Sequence, residues 1–362
     1  MNVKKKAIWA ILLLIISVAI HVYSLDSMRV ESGYSHQFFA SFSRILRLSL
    51  GWIPFSIGDF LYGIGVGWLI WQVYRLTRRL LAIRKKPVSW SVISAFLMNL
   101  FIFFSSLYIV FNVFWGINYN RMGIAWQLGL KMEKYSTADL QNINALLVEK
   151  VNQSKAVLVK NKTSYPTNRE MFAKVSEAYT ALTGVYPFIK YEPVSLKSSM
   201  WGWLGNYTGF TGYYNPFTGE GQVNTTVPKF LQPFIACHEV AHQVGYAKEM
   251  EANFVGYLAA SRSPDTLLHY SVYLDLFTYA NRNLFFTDST SANRYRKQLL
   301  PAVVDDYKEW IRFNRSHQSF AEPVIRWLYG KFLQGNRQPQ GIMSYDEVTS
   351  FLISYYKKFG MI

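Results

Sequence analysis

Residues 234–254 read FIACHEVAHQVGYAKEMEANF, and within them the pattern HEVAH occupies positions 238–242. On a helix, positions i and i+4 lie about 40° apart, so the two imidazoles face the same side. Two histidines at this spacing can bind one Zn²⁺, and the glutamate after the first histidine contacts the water on the metal. The pattern therefore predicts a helix that carries two zinc ligands, His238 and His242, with Glu239 as general base.

The third ligand is expected on the next helix. Gly245 can end the first helix and turn the chain, and the segment after it offers two acids, Glu249 and Glu251. If Glu249 binds the metal, Asn253 follows on the same face and can hydrogen-bond a liganding histidine, as supporting residues in metal sites do. Glu251 would instead share its face with apolar residues. We therefore favour Glu249 as the third ligand of a single zinc ion and keep Glu251 as the alternative.

This stretch resembles the gluzincin group of metallopeptidases. In that group a helix with HExxH is followed by a helix with a glutamate ligand and an Asp or Asn four residues later. The resemblance implies a zincin-like fold with zinc on His238, His242 and Glu249, and with Glu239 as general base. The spacing departs from most relatives, because only six residues separate His242 from Glu249. Lys248 also stands where the related metzincins have their third histidine.

Nearly the full length is similar to an uncharacterised family of bacterial membrane proteins with a domain of unknown function. Members have three N-terminal spans followed by three short motifs. The corresponding segments here are PFTGE at 216–220, HEVAHQ at 238–243 and EMEANF at 249–254. The resemblance implies a protein of the bacterial cell membrane and supplies no substrate.

Three apolar runs predict an α-helical membrane anchor over residues 1–117, with transmembrane helices at about 7–25, 52–74 and 90–115. Each run is long enough to cross a hydrocarbon core about 30 Å thick. A cleaved signal peptide is the rival interpretation of the first run, but further spans follow it and we expect a retained anchor. Asp59 is the one charged residue of the second run, and we expect it to be hydrated near the outer interface.

The charge distribution predicts the orientation of the anchor. Residues 1–117 contain 12 Lys and Arg but only 3 Asp and Glu. With three spans, the basic clusters at 4–6 and 75–86 lie on the same side, which the positive-inside rule identifies as the cytoplasm. The N-terminus is then cytoplasmic and residues 118–362 are extracytoplasmic. Because the basic residues flank apolar runs, membrane lipid is the expected partner and nucleic acid is not.

Residues 118–362 are predicted to form one mainly α, α+β domain with a small β-hairpin or sheet. The NPFTG turn at 215–219 separates the hairpin strands 210–214 and 222–226. The single cysteine, Cys237, excludes an intramolecular disulfide. Helices are expected from Ser136 or Thr137 to Lys160, from Asn168 to Thr183, and at 234–244, 250–260, 292–314 and 345–359.

The predicted function is zinc-dependent hydrolysis of a peptide or protein substrate. An extended substrate is expected to pair with the edge of the hairpin. The candidates for stabilising the oxyanion are Tyr246, Tyr257, His269 and Tyr270, and the sequence does not choose among them. The alternative is a non-catalytic membrane receptor or assembly factor with a structural zinc. The intact Glu239 argues against that alternative, because a structural site needs no general base.

Overall fold

The structure, a computed structural model, describes residues 3–83 and 90–362, and the chain is mostly helical. Arg84, Lys85 and Lys86 lie outside the described residues. They belong to the basic cluster at 75–86 that was used to predict the orientation. The N-terminal part contains α1 Val3–Ser24, α2 Ser27–Arg29, a π-helix Val30–Phe39, α3 Ala40–Leu50, α4 Ile57–Ile83 and α5 Trp90–Phe114. The rest contains a 3-10 helix Gly116–Asn120, α6 Ile124–Gln127, α7 Thr137–Lys160, α8 Asn168–Val185, β1 Leu196–Ser198, α9 Gly202–Thr208, β2 Gly212–Asn215, β3 Glu220–Val223, α10 Gln232–Gln243, α11 Glu249–Ala260, α12 Thr266–Thr287, α13 Ser289–Lys297, α14 Pro301–Ser316, α15 Glu322–Gly335, a 3-10 helix Gly341–Glu347 and α16 Val348–Phe359.

Two helices in the described part of the chain are long and apolar enough to cross a membrane. They are Lys4–Ser24 within α1 and Val92–Phe114 within α5, and they correspond to the first and third predicted spans. The second predicted span, 52–74, falls on α4, which begins only at Ile57 and is not one of the two. Three spans are therefore not confirmed.

The core of the C-terminal part forms around α12, which packs against α7 and α10. Apolar side chains from these helices and from α8, α11 and α16 form one buried cluster. The predicted starts of α7 and α8 are confirmed. Ser136 and Thr167 cap α7 and α8 through reciprocal bonds with Asp139 and Glu170, because these side chains satisfy backbone N–H groups that lack helical partners.

The predicted hairpin is confirmed, and its strands are shorter than expected. β2 and β3 pair antiparallel with Gly212 opposite Val223 and Asn215 opposite Glu220. A third strand, β1, pairs parallel with β3, giving the order β1–β3–β2. β2 is therefore an edge strand, and the sheet is the small β element of a mostly helical structure.

One predicted helix is wrong. The expected continuous helix at 292–314 is two helices, because α13 ends at Lys297 and α14 begins at Pro301. Proline cannot donate the backbone hydrogen bond of a helix interior and is accommodated in a first turn. The last helix also begins later than predicted, at Val348, after a 3-10 helix.

Buried side chains of the sheet bind the ends of α3 and α4. The Glu220 carboxylate accepts the backbone N–H of Ile57 (3.1 Å) and of Gly58 (2.7 Å) at the start of α4. Lys197 donates to the carbonyl of Gly51 (2.6 Å) just after α3. Acids at helix N-termini and cations at C-termini complement the partial charges there. This contact explains the PFTGE motif, whose glutamate is Glu220.

The expectation that Asp59 is hydrated is wrong. Its side chain is fully buried and accepts hydrogen bonds from the backbone N–H of Met200 (2.6 Å) and from the hydroxyl of Tyr213. These partners belong to the C-terminal part of the chain and replace water around the carboxylate.

Candidate metal centre

Helices α10 and α11 carry the candidate site and pack closely together. α10 has Pro233 in its first turn and buries the apolar side chains of Ala236, Cys237 and Val240 in the core. The chain then turns at Gly245, whose φ of 97° favours glycine, and α11 begins at Glu249. A Cβ at Gly256 of α11 would lie 3.2 Å from the backbone nitrogen of His238, so the small residue lets the two helices approach.

The turn brings three predicted metal ligands together. Nε2 of His238 lies 3.2 Å from Oε2 of Glu249, and Nε2 of His242 lies 3.5 Å from the same oxygen. The three side chains form a buried group that could hold a metal ion. For comparison, ligand atoms bound tetrahedrally at about 2.0–2.1 Å, as in zinc sites, lie roughly 3.3 Å apart.

The remaining ring nitrogens fix the orientation of both histidines. Nδ1 of His242 lies 2.7 Å from the carbonyl oxygen of Tyr246, and Nδ1 of His238 lies 2.7 Å from Oδ1 of Asn253. Since these oxygens accept, each Nδ1 carries a proton, and Nε2 of each ring faces Glu249. Oε2 of Glu249 is buried and has no well-directed hydrogen-bond donor among the described residues. The donor set therefore fits a cation.

Glu251, the alternative ligand, is outside this group. Its carboxylate lies 3.7 Å from Nζ of Lys248 and so close to Gly123 that a Cβ there would be 2.0 Å from Oε1. Burial raises the pKa of Glu251. The structure thus brings Glu249, and not Glu251, to the two histidines, while Asn253 takes the supporting position that the sequence indicated.

Electrostatic interactions within the group are strong because it is buried. Burial raises the pKa of Glu249, but the two adjacent histidines outweigh burial and lower it well below the ordinary value. Burial lowers the pKa of His238. At His242 the Glu249 carboxylate outweighs the effect of burial and raises the pKa to about 9. Glu249 is therefore an anion suited to bind a cation.

Glu239 lies beside the ligands and against the edge strand. A Cβ at Gly212 of β2 would be 2.4 Å from Oε1 of Glu239, so a residue without a side chain makes room for the carboxylate. Oε2 of Glu239 is buried and has no hydrogen-bond partner within the described chain. Burial raises the pKa of Glu239 to about 8.

The site borders a cavity of about 720 Å³. Both histidines, Glu239 and Glu249 line it, together with the edge strand β2. Tyr62 from α4 and Phe111 from α5 also contribute to its wall. The cavity is therefore shared between the C-terminal part of the chain and the ends of two N-terminal helices.

Tyr329 is a site residue that the sequence did not identify. Its hydroxyl donates to Oε1 of Glu249 (2.6 Å), and its ring lines the cavity. It lies on α15, 80 residues after Glu249, where no local pattern marks it. The four proposed oxyanion candidates, Tyr246, Tyr257, His269 and Tyr270, are not among the residues that line the cavity in the described structure.

Two buried arginines bind the end of α10. Arg47 of α3 donates to the carbonyl of Gln243 (3.1 Å), and Arg121 donates to the carbonyl of Gly245 (3.0 Å). Arg121 is held in turn by a two-contact ion pair with Glu31, at 2.6 and 3.0 Å. The N-terminal part of the chain thus supports the turn at Gly245. The carbonyl of Tyr246, the next residue, in turn orients the ring of His242.

Comparison with known proteins gives one family. Residues 34–353 match the family described as "Protein of unknown function (DUF3810)". The matched range runs from the π-helix into α16 and includes the histidine motif. No curated protein and no solved structure matches the chain.

Proposed function

The chain belongs to the DUF3810 family of proteins of unknown function, and we propose from its own buried site that it is a membrane-anchored zinc-dependent peptidase. The observation that carries the proposal is that three ligand atoms on His238, His242 and Glu249 converge beside the carboxylate of Glu239, whose buried Oε2 has no hydrogen-bond partner among the described residues. A purely structural metal site needs no carboxylate such as that of Glu239 beside its ligands.

Each residue has a definite task in this proposal. His238, His242 and Glu249 hold the ion, which supplies a Lewis acid that lowers the pKa of water and polarises a carbonyl group. Glu239 accepts the proton of the attacking water and passes it to the leaving amine. Asn253 fixes the ring of His238, since its Oδ1 lies 2.7 Å from Nδ1.

The arrangement of the site supports a zincin-like interpretation of the fold. The HExxH helix α10 comes after the hairpin of β2 and β3, in which β2 is an edge strand, and precedes a helix with a glutamate ligand. β2 lines the cavity, so an extended polypeptide could add to its free edge through main-chain hydrogen bonds.

The proposal includes three membrane spans, with α4 as the second between α1 and α5. Exposed apolar side chains cover α4 along its length, among them Ile64, Ile70 and Val73, and exposed apolar helix faces of this extent require lipid or a partner. With three spans, both basic clusters lie in the cytoplasm and residues 118–362 lie outside.

The test uses the full chain in lipid nanodiscs as wild type, Glu239→Gln and the control Glu133→Gln, which changes an exposed glutamate. Bound zinc is measured by elemental mass spectrometry and cleavage by mass spectrometry of a peptide library. We expect equal zinc in all three proteins, cleavage by wild type and control, and cleavage by Glu239→Gln reduced by at least about 100-fold. Full zinc without cleavage by the wild type would overturn the peptidase and favour a receptor or assembly factor with a structural zinc.

A further inference from the structure

Helices α9 and α15 together expose an unusually apolar surface, here called the α9–α15 surface. Ser319, just before α15, donates a hydrogen bond to the carbonyl of Tyr207 in α9 (2.7 Å). On α15, Trp327 is 62% exposed, and Phe320 just before this helix is 96% exposed. On α9, Trp203 is 56% exposed. The surface consists of Met200, Trp203, Leu204, Phe320, Val324, Trp327 and Leu328.

This surface adjoins the ends of the proposed spans that face the C-terminal domain. Trp201, next to α9, donates its indole N–H to the carbonyl of Asp59 in the first turn of α4 (3.1 Å). Phe332 of α15 packs against Phe111 near the end of α5, with ring centroids 6.0 Å apart. The α9–α15 surface is therefore next to the ends of α4 and α5, two helices that expose many apolar side chains.

Lipid is the occupant that fits this position and composition. Tryptophan is enriched where proteins meet the membrane–water interface. A helix with Trp and Leu on one face and basic residues on another is typical of helices that lie in that interface. On α15, Trp327 and Leu328 share one face, and Arg326 lies about 100° from Trp327 on the other side. Lys331 lies on the apolar face, where a long lysine side chain can bring its charge to the headgroups. A soluble partner protein would account for exposed apolar residues but not for their position beside the proposed spans.

The cavity of the candidate site lies directly beside this surface. Tyr329 and Phe332 of α15 line it together with Tyr62 of α4 and Phe111 of α5, and Tyr329 bonds the ligand Glu249. We propose that the α9–α15 surface inserts into the outer leaflet beside the spans, and that the site acts on polypeptide segments held at that membrane surface. The second half of this statement rests on the proposed peptidase activity; the first half rests on the proposed spans and their orientation and not on catalysis.

Insertion is tested without reference to catalysis. Trp203→Cys and Trp327→Cys, and the control Val159→Cys on α7, are labelled with an environment-sensitive fluorophore in the full chain; the native Cys237 is buried. Val159 is exposed to a similar extent, 56%. In nanodiscs with lipids spin-labelled at a shallow acyl position, we expect quenching at 203 and 327 and little at 159.

Equal quenching at all three positions would overturn the insertion. Labels at 203 and 327 that are shielded from an aqueous quencher but not quenched by lipid would also overturn it, since a second copy or another protein would then cover the surface. Val324→Cys serves as a further position on α15 if a tryptophan replacement fails to fold.

The substrate class is tested with two reporters of one peptide sequence, one soluble and one attached to a lipid. We expect kcat/KM for the lipid-attached reporter to be higher by more than about tenfold, because attachment raises its effective concentration at the site. Trp327→Asp should lose this advantage and keep the cleavage of the soluble reporter. Equal cleavage of the two reporters by the wild type would overturn the substrate class. If neither reporter is cleaved, the proposed function fails. The quenching experiment still shows whether the α9–α15 surface inserts into the membrane.

Discussion

At the scale of single residues, the sequence predicted what depends on helical spacing. The i, i+4 relation places His238 and His242 on one face, and the same relation puts Asn253 behind Glu249. The choice between Glu249 and Glu251 depends on how Gly245 turns the chain, which spacing alone does not determine. Tyr329 could not be predicted, because its contact with Glu249 is made between helices that are far apart in the sequence.

The supporting role of Asn253 gives a prediction about metal affinity. In Asn253→Ala the ring of His238 loses the oxygen that lies 2.7 Å from its Nδ1. Loss of such a partner typically weakens metal binding about 10–100-fold. We expect this loss in a competition titration of the full chain against a chromophoric zinc chelator. The control Asn161→Ala, at an exposed position after α7, should keep the wild-type zinc affinity. If Asn253→Ala also keeps that affinity, Asn253 does not support His238 as a zinc ligand.

At the scale of elements, local signals predicted the helices that begin with capping residues and the hairpin with its NPFTG turn. The break at Pro301 was missed, although proline at a helix start is a known signal. β1 was missed for a different reason. It has only three residues and is defined by its pairing with β3, so no periodicity of its own could reveal it.

The contact of Glu220 with α4 predicts a specific loss of stability. In Glu220→Gln the amide replaces a carboxylate that accepts the backbone N–H groups of Ile57 and Gly58. Loss of a charged helix cap costs about 1–2 kcal/mol. We expect a lower thermal midpoint of the full chain in detergent, with zinc content unchanged because the site ligands are elsewhere. An unchanged midpoint would show that this cap does not stabilise the helix.

At the scale of the whole molecule, the packing of residues 26–60 on the C-terminal part was not predictable. In the sequence these residues read as a connection with mixed charges followed by an apolar run. Their buried partners lie far along the chain: Glu31 binds Arg121, and Arg47 binds the carbonyl of Gln243. The predicted boundary between 117 and 118 stays a prediction, and these contacts cross it.

The Glu31–Arg121 pair predicts how firmly the two parts are joined. Both side chains are almost completely buried, so Glu31→Gln leaves Arg121 without its counter-ion, at a cost of about 3–5 kcal/mol. We expect a large fall in the thermal midpoint of the full chain. The control Asp305→Asn removes an exposed pair with Lys308 and should cost no more than about 1 kcal/mol. Similar midpoints for the two variants would contradict the anchoring role of Glu31.

The same pair predicts the direction of a pH effect. Burial raises the pKa of Glu31, but hydrogen bonds from His36 and Arg121 outweigh it and hold the pKa well below the ordinary value. A lowered pKa in the folded state gives stability that is fully present above the unfolded value of about 4.3 and declines as the pH falls below it. The midpoint difference between wild type and Glu31→Gln should therefore be constant near neutral pH and shrink in acid. A difference that grows on acidification would contradict this assignment.

The central claim is that His238, His242 and Glu249 together hold one metal ion, and metal content tests it most directly. The full chain is purified in detergent with zinc present, then desalted, and its zinc is measured by elemental mass spectrometry. We predict one equivalent in the wild type and in the control His21→Ala, an exposed position, and almost none in His238→Ala and His242→Ala. Zinc far below one equivalent in the wild type, or equal zinc in all four proteins, would contradict the account.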